Sequence, residues 1–106
     1  MIVDVPLFAR NGERLFELAL RYRMPTMSGW RRFAESGSLI AYGANVPHVC
    51  QRSAVYVDKV LKGARPADLP IEEPAKFELV INLKTAKTLG LTIPPSLLLR
   101  ADQVIE

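Results

Sequence analysis

A chain of 106 residues has room for one ordinary domain and is too short for two. With 49% hydrophobic and 24% charged residues it is no disordered polymer, and it can bury a core without disulfides or metal. The formal charge of +3 is spread along the chain, with Arg31-Arg32 the only adjacent basic pair, so the dense one-sided basic footprint of a nucleic-acid binder is missing.

Cys50 is the single cysteine, so no intrachain disulfide can form. No run reaches the ~18–20 apolar residues that span a bilayer. The opening Met1-Ile2-Val3-Asp4-Val5-Pro6 lacks the basic and long apolar regions of a secretory signal. The polypeptide as it stands is therefore expected to remain cytoplasmic.

In chain order, Ile2 to Val5 is β-branched and closed by Pro6, which predicts a buried strand over residues 2–5. Asn11-Gly12 opens a predicted helix over 11–23, with Leu15, Phe16, Ala19, Leu20 and Tyr22 toward one side. Pro25 blocks its continuation, and a second short strand comes next over 25–28. Ser28-Gly29 leads into a short helix over 30–36, with Gly37 suited to a left-handed C-terminal position. A third strand is predicted over 38–42, ended by Gly43.

The best-defined element is a helix over 45–62. Asn45 is a good N-cap, Pro47 is tolerated in the first turn, and Gly63 stops the helix. Val46, Val49, Cys50, Ser53, Ala54, Val57, Val60 and Leu61 recur at three- and four-residue steps, while Gln51, Arg52, Asp58 and Lys59 lie opposite. Arg65 to Pro74 is polar and proline-punctuated, which predicts a surface connection with Glu72-Glu73 solvated. A fourth strand is predicted over 77–82, then a helix over 83–89 capped by Asn82 and ended by Gly90. Pro94-Pro95 starts a last turn or two, and Val104-Ile105 adds a short terminal strand.

The strand–helix alternation predicts an α/β fold with a parallel sheet and flanking helices, a single unit over 1–106. Within it, 1–43 is a βαβ part, 44–75 a crossover helix and linker, and 76–106 the C-terminal strand and helices. Ligands in such sheets gather at the carboxyl ends of the strands. Three loops are expected there: Asp4 to Phe8, Ser28 to Arg31, and Tyr42 to Asn45.

No catalytic set converges. His48 and Cys50 sit two apart on a helix and point in different directions, with Cys50 expected as a small buried hydrophobe. His48 is the only histidine, so neither a metal site nor a Cys–His pair has partners. No phosphate-cradling glycine loop is present, and no cofactor is expected. The candidate ligand-binding residues are Asp4, a carboxylate interrupting an apolar strand near its end; Ser28; Trp30, a stacking surface; and Tyr42, a hydroxyl at a strand end. Taken alone, Asp4 more readily caps a neighbouring backbone and each aromatic residue more often serves packing; their value lies in coming together at sheet-end loops.

Longer stretches carry more. Leu39-Ile40-Ala41-Tyr42-Gly43 precedes the run Ala54-Val55-Tyr56-Val57-Asp58-Lys59-Val60-Leu61-Lys62-Gly63-Ala64-Arg65-Pro66-Ala67-Asp68-Leu69-Pro70. Phe77-Glu78-Leu79-Val80-Ile81-Asn82-Leu83-Lys84-Thr85-Ala86-Lys87 and Leu89-Gly90-Leu91-Thr92-Ile93-Pro94-Pro95 lie downstream, with Asp4-Val5-Pro6-Leu7-Phe8 upstream. Together they resemble the C-terminal part of ABC-transporter substrate-binding proteins of the tryptophan/tyrosine type.

The resemblance implies a portion of a two-lobed type I periplasmic-binding fold, in which lobes joined by hinge crossings close on a small solute and deliver it to a membrane permease. It implies a periplasmic location; the residues themselves, without a converging catalytic set or a dense basic face, lead to the expectation of no enzymatic activity and no nucleic-acid partner. A complete member has a signal segment and a whole first lobe before the position of Met1, so the chain is expected to be a truncated or partial solute-binding component. The alternative is an orphan, non-catalytic assembly module that retains the fold without binding ligand. A homo-oligomer, most simply a dimer, is expected to use the 45–61 helix, whose apolar stripe would otherwise stand in water; the alternative is that the helix folds back on its own sheet.

Overall fold

A computed structural model describes residues 1–2 and 5–106. Six helices and four strands succeed one another in these residues: α1 (Pro6–Arg10), α2 (Gly12–Arg21), β1 (Met27–Ser28), α3 (Arg31–Glu35), β2 (Ile40–Ala44), α4 (Val46–Leu61), β3 (Phe77–Asn82), α5 (Leu83–Leu89), α6 (Pro95–Leu98) and β4 (Gln103–Ile105). The strands form one sheet in the order β1-β2-β3-β4. β1 runs parallel to β2 with Met27 opposite Ile40 and Ser28 opposite Ala41, and β3 runs parallel to β4 with Val80 opposite Gln103. Between the pairs, the Asn82 N–H donates to Leu39 and the Asn45 N–H donates to Lys76, a register that only antiparallel strands produce. The fold is α/β, as the alternation of apolar periods predicted.

The chain divides into two compact units, Met1–Gly43 with Glu78–Glu106, and Ala44–Phe77. The first holds the core. Phe16, Phe33, Ala34, Leu39, Ala41, Val80, Ile81 and Ala86 are all buried. Phe33 touches Phe16 edge-on at 5.7 Å between ring centroids. The buried side chains of Asn82 and Thr85 are matched, whereas Gln103 Oε1 is buried without a hydrogen-bond partner among the described residues. Asn82 accepts from the Thr85 N–H at 3.0 Å, capping α5 as its sequence position predicted. Its amide also donates to the Ala34 carbonyl at 2.8 Å, which ties the end of β3 to α3. The Thr85 hydroxyl donates to Gly37 at 3.0 Å. Gly37 itself has φ +121°, and a Cβ there would stand 3.1 Å from Phe16 Cβ, so both conformation and space call for glycine.

Several expectations are corrected in this unit. The strand over 2–5 is reduced, among the described residues, to a parallel bridge between Ile2 and Ser28, while Val3 and Asp4 lie outside the described residues. The loop expected to run on to Phe8 is instead the start of α1. Pro6 sits in the first turn, where its fixed φ suits a helix and its missing N–H leaves no bond unmade, and Val5 O accepts from Phe8 and Ala9. The helix over 11–23 is split from α1 by Asn11 and stops at Arg21. Arg23 then takes φ 52°, and the Met24 N–H donates to Ala19. Gly43 does not end β2, which runs on to Ala44.

The second unit has a different character. α4 is capped as predicted, the Asn45 side chain accepting from the His48 N–H at 2.9 Å, but none of its residues is buried. Cys50 is exposed, not the buried hydrophobe expected. The segment after Gly63 contains a short 3-10 turn at Pro66–Asp68 and runs back along α4. Its anchors are polar. The Tyr56 hydroxyl donates to the Pro70 carbonyl at 2.7 Å, and Arg52 grips Glu72 with two nitrogens, Nε to Oε2 at 3.0 Å and Nη2 to Oε1. Glu72 is thus paired rather than simply solvated, because the proline-stiffened segment returns across the helix side that carries Arg52 and Tyr56.

Candidate functional site

Strand alternation decides which groups reach the carboxyl end of the β1–β2 pair. Ser28 and Ala41 face inward, at 2% and 1% exposure, and Tyr42 faces outward at 51%. Ser28 is committed to the interior: its hydroxyl donates to Ser38 Oγ at 3.4 Å. Ser38 Oγ also lies 3.1 Å from the Ile40 carbonyl and 3.2 Å from that of Thr26, and accepts from the Thr26 hydroxyl at 3.3 Å. This hydroxyl cluster ties the turn after α3 to β1 as well as to the start of β2.

Trp30 precedes α3 in extended conformation and stacks on Phe33, with 5.7 Å between centroids and 10° between planes. Because Phe33 in turn meets Phe16, the half-buried indole stands on an aromatic column rooted in the core. Trp30 and Tyr42 therefore occupy the same end of the β1–β2 pair, one just past each strand's inward-facing residue. Of the other predicted site residues, Ser28 lies beneath them, and Asp4 is outside the described residues.

What sequence reasoning missed is the approach that makes this end possible. A Cβ built on Gly43 would overlap the Gly29 carbonyl oxygen. Two backbones touch where side chains would hold them apart. The two isolated glycines, Gly29 just past β1 and Gly43 near the end of β2, were the available signal.

A second concavity lies within the 44–77 unit. It has a volume of about 400 Å³ between α4 and the returning segment, with His48, Arg52, Ser53, Tyr56, Glu72 and Glu73 on its walls. Arg52 and Glu72 match each other on these walls. Hydrogen bonds from Arg52 hold the Glu72 carboxyl below its ordinary 4.5, and the same contact with Glu72 raises the Arg52 guanidinium. The Tyr56 phenol is raised by desolvation, with the nearby Glu72 carboxylate adding to it.

A lowered carboxyl contributes stability that is present above its unfolded value and is lost as pH falls through the folded one. The grip on the 70–76 segment is therefore expected to hold at neutral pH and to loosen only below pH 4.5. Amide exchange in the 70–76 segment checks this, and Glu72→Gln is expected to show the loosened behaviour already at neutral pH. The first unit's exchange is expected not to change. Equal protection in the variant at pH 7 would show that the ion pair does not hold the segment.

Among the described residues no group of three or more His, Cys, Asp or Glu side chains is placed to hold a metal ion, and no helix is long and apolar enough to cross a membrane.

Residues 2–105 match the family described as ABC transporter substrate binding protein. Among solved structures, a conserved domain protein from Vibrio cholerae superposes with a TM-score of 0.89 at 26% identity, over 96% of this chain and 34% of that one. The ABC domain from Streptococcus pneumonia, solved in complex with L-Trp, gives 0.87 at 30% identity over 94% and 34%. A ligand-free, open substrate-binding protein with adhesive properties from Clostridium difficile shares the fold, at 0.64 and 19% identity over 97% and 34%. The chain thus spans about a third of the length of each. No curated protein matches it.

Proposed function

The chain belongs to the ABC transporter substrate-binding protein family, and we propose that it is a partial solute-binding component, taking a small molecule such as an amino acid at the carboxyl end of the β1–β2 pair. The observation that carries this reading is the Gly29–Gly43 approach, which sets Trp30 and Tyr42 at one exposed sheet end. Family members are ligand binders rather than enzymes. The Streptococcus structure, bound to L-Trp, supports an amino acid as the ligand class. In this reading Trp30 stacks against the solute, Tyr42 offers its hydroxyl, Asp4 meets an amino group, and Ser28 positions the strand end from beneath. Residues 1–43 form the βαβ part of a second lobe, 44–75 a crossover helix and linker, and 76–106 its C-terminal strand and helices. The ABC permease is the partner to which the solute passes, and the periplasm is the compartment.

Titration of the isotope-labelled chain with aromatic and branched amino acids tests this. Saturable shifts centred on Trp30 and Tyr42 are expected, with Trp30→Ala and Tyr42→Ala each weakening the response roughly tenfold, the loss of ~1.4 kcal/mol of contact. Silence at millimolar ligand in the folded chain would leave the alternative, an assembly module without a ligand.

One observation favours self-association alongside binding. α4 is ~24 Å long at 1.5 Å per residue, yet Val46, Val57, Val60 and Leu61 are all exposed, Leu61 at 82%. Such a stripe is unusual on a lone soluble chain, since each side chain stands to gain ~1.5–3 kcal/mol on full burial. We place α4 in a two-fold homodimer. Light scattering across a dilution series is expected to show a dimer at high micromolar concentration, and Val57→Asp a folded monomer. A dimer indifferent to Val57→Asp would clear α4 of the role.

A further inference from the structure

Three arginines converge on a further cleft within the first unit, lined by neither Trp30 nor Tyr42. The cleft has a volume of about 330 Å³ and is walled by the α1–α2 junction and by α3, with Arg10, Arg14, Arg32, Glu13, Asn11 and Ser36 as its polar lining. The two walls are held in register by close packing. A Cβ built on Gly12 would stand 3.6 Å from Ser36 Oγ, so the start of α2 lies directly against the end of α3. Ser36 is itself fixed by donating to the Arg32 carbonyl at 3.1 Å.

The charges on these walls are left unmatched. Arg31, Arg52 and Arg65 each bond a carboxylate, at Glu35, Glu72 and Asp68. Arg10, Arg14 and Arg32 have no ion-pair partner among the described residues. Glu13 offsets one of the three charges, which leaves an excess of two positive charges around the cleft. Guanidinium groups gathered in this way repel one another, and the ligand that relieves them is a compact anion with several oxygens. The planar fork of each guanidinium matches two oxygens of a phosphate or carboxylate at once. Three forks around one small polar cleft favour the tetrahedral group, which offers oxygens in three directions.

We propose that this cleft binds a phosphate oxyanion through Arg10, Arg14 and Arg32, independently of the solute site. A phospholipid headgroup and free phosphate share that chemistry. The test uses the labelled full chain, titrated with sodium phosphate against sodium chloride at matched ionic strength, together with flotation on vesicles of phosphatidylglycerol or of phosphatidylcholine. The expected result is saturable phosphate shifts at Gly12, Arg14 and Ser36, weakened at least tenfold in Arg14→Gln/Arg32→Gln. Arg21→Gln/Arg100→Gln has the same net charge with the cleft intact, and is expected to bind as the parent does.

Flotation on phosphatidylglycerol that is lost only in the cleft variant identifies the headgroup as the source of the phosphate. Phosphate shifts without flotation identify the free ion. Equal shifts from chloride, equal loss in the two double variants, flotation without phosphate shifts, or no saturable shift at all would each overturn the proposal. All four substituted arginines are exposed, so the variants are expected to fold, and their amide spectra verify this in the same samples.

Discussion

Phe33→Ala is expected to cost ~3–5 kcal/mol, a large share of the ~5–15 kcal/mol that holds a typical domain together. Phe33 is 1% exposed and is sandwiched between the Trp30 and Phe16 rings. Removing its ring deletes both aromatic contacts and leaves a cavity that cannot collapse easily. One wall is the Phe16 ring on α2, and another is α3, which Asn82 holds by its bond to Ala34. Urea unfolding followed by the emission of Trp30, the only tryptophan, reads the effect at the site itself. With a slope of ~1–3 kcal/mol per molar urea, the midpoint is expected to fall by roughly 2 M. Should the variant not fold, Phe33→Leu keeps most of the volume and is expected to lose about half as much midpoint. A midpoint within a few tenths molar of the parent's would show that the aromatic column does not support the domain.

Gly43→Ala comes next in size, by a different mechanism. No positive φ is involved; the position lacks space. A methyl group there would overlap the Gly29 carbonyl oxygen, and backbone has little freedom to withdraw. Either β2 tilts away from β1 at this end or the Gly29 peptide turns. Overpacking of this kind costs ~3 kcal/mol or more where backbone must shift. The damage is expected to be local first. Amides around Gly29 and Tyr42 lose exchange protection, ligand-induced shifts at Trp30 and Tyr42 vanish, and β3–β4 amides stay protected. Gly29→Ala is the informative companion, because the close contact at Gly43 is with the Gly29 backbone rather than a side chain. A Gly43→Ala chain with unchanged stability and an unchanged amide spectrum around Trp30 would remove the close approach as the basis of the site.

The sequence alone determined the parts of this protein governed by local rules. Asn45 and Asn82 cap α4 and α5 because a short carbonyl-bearing side chain placed before an apolar-periodic run can accept from the N–H three residues on. The period of 3.6 placed α4, the Asn82 cap and the Gly90 stop placed α5, and the apolar run at Phe77 to Asn82 placed β3. The long runs between Leu39 and Pro95 sufficed to suggest the family. Pro6 was the weak point of this logic, because a proline is equally at home ending a strand or opening a helix, and the residues after it decide between the two.

Only the tertiary structure decided the rest, because it turns on which distant groups meet. Ser28 faces inward because pairing opposite Ala41 turns its hydroxyl toward Ser38, a fact of pairing and not of residue type. Cys50 lies on an apolar stripe and is nevertheless exposed, since periodicity names a face while packing chooses whether anything covers it. Arg52, Tyr56 and Glu72 form one cluster across twenty residues of chain because a proline-stiffened segment happens to return over α4. The Gly29–Gly43 approach likewise exists only once two strands lie side by side. Isolated glycines in a sequence do not announce which backbone they will let in.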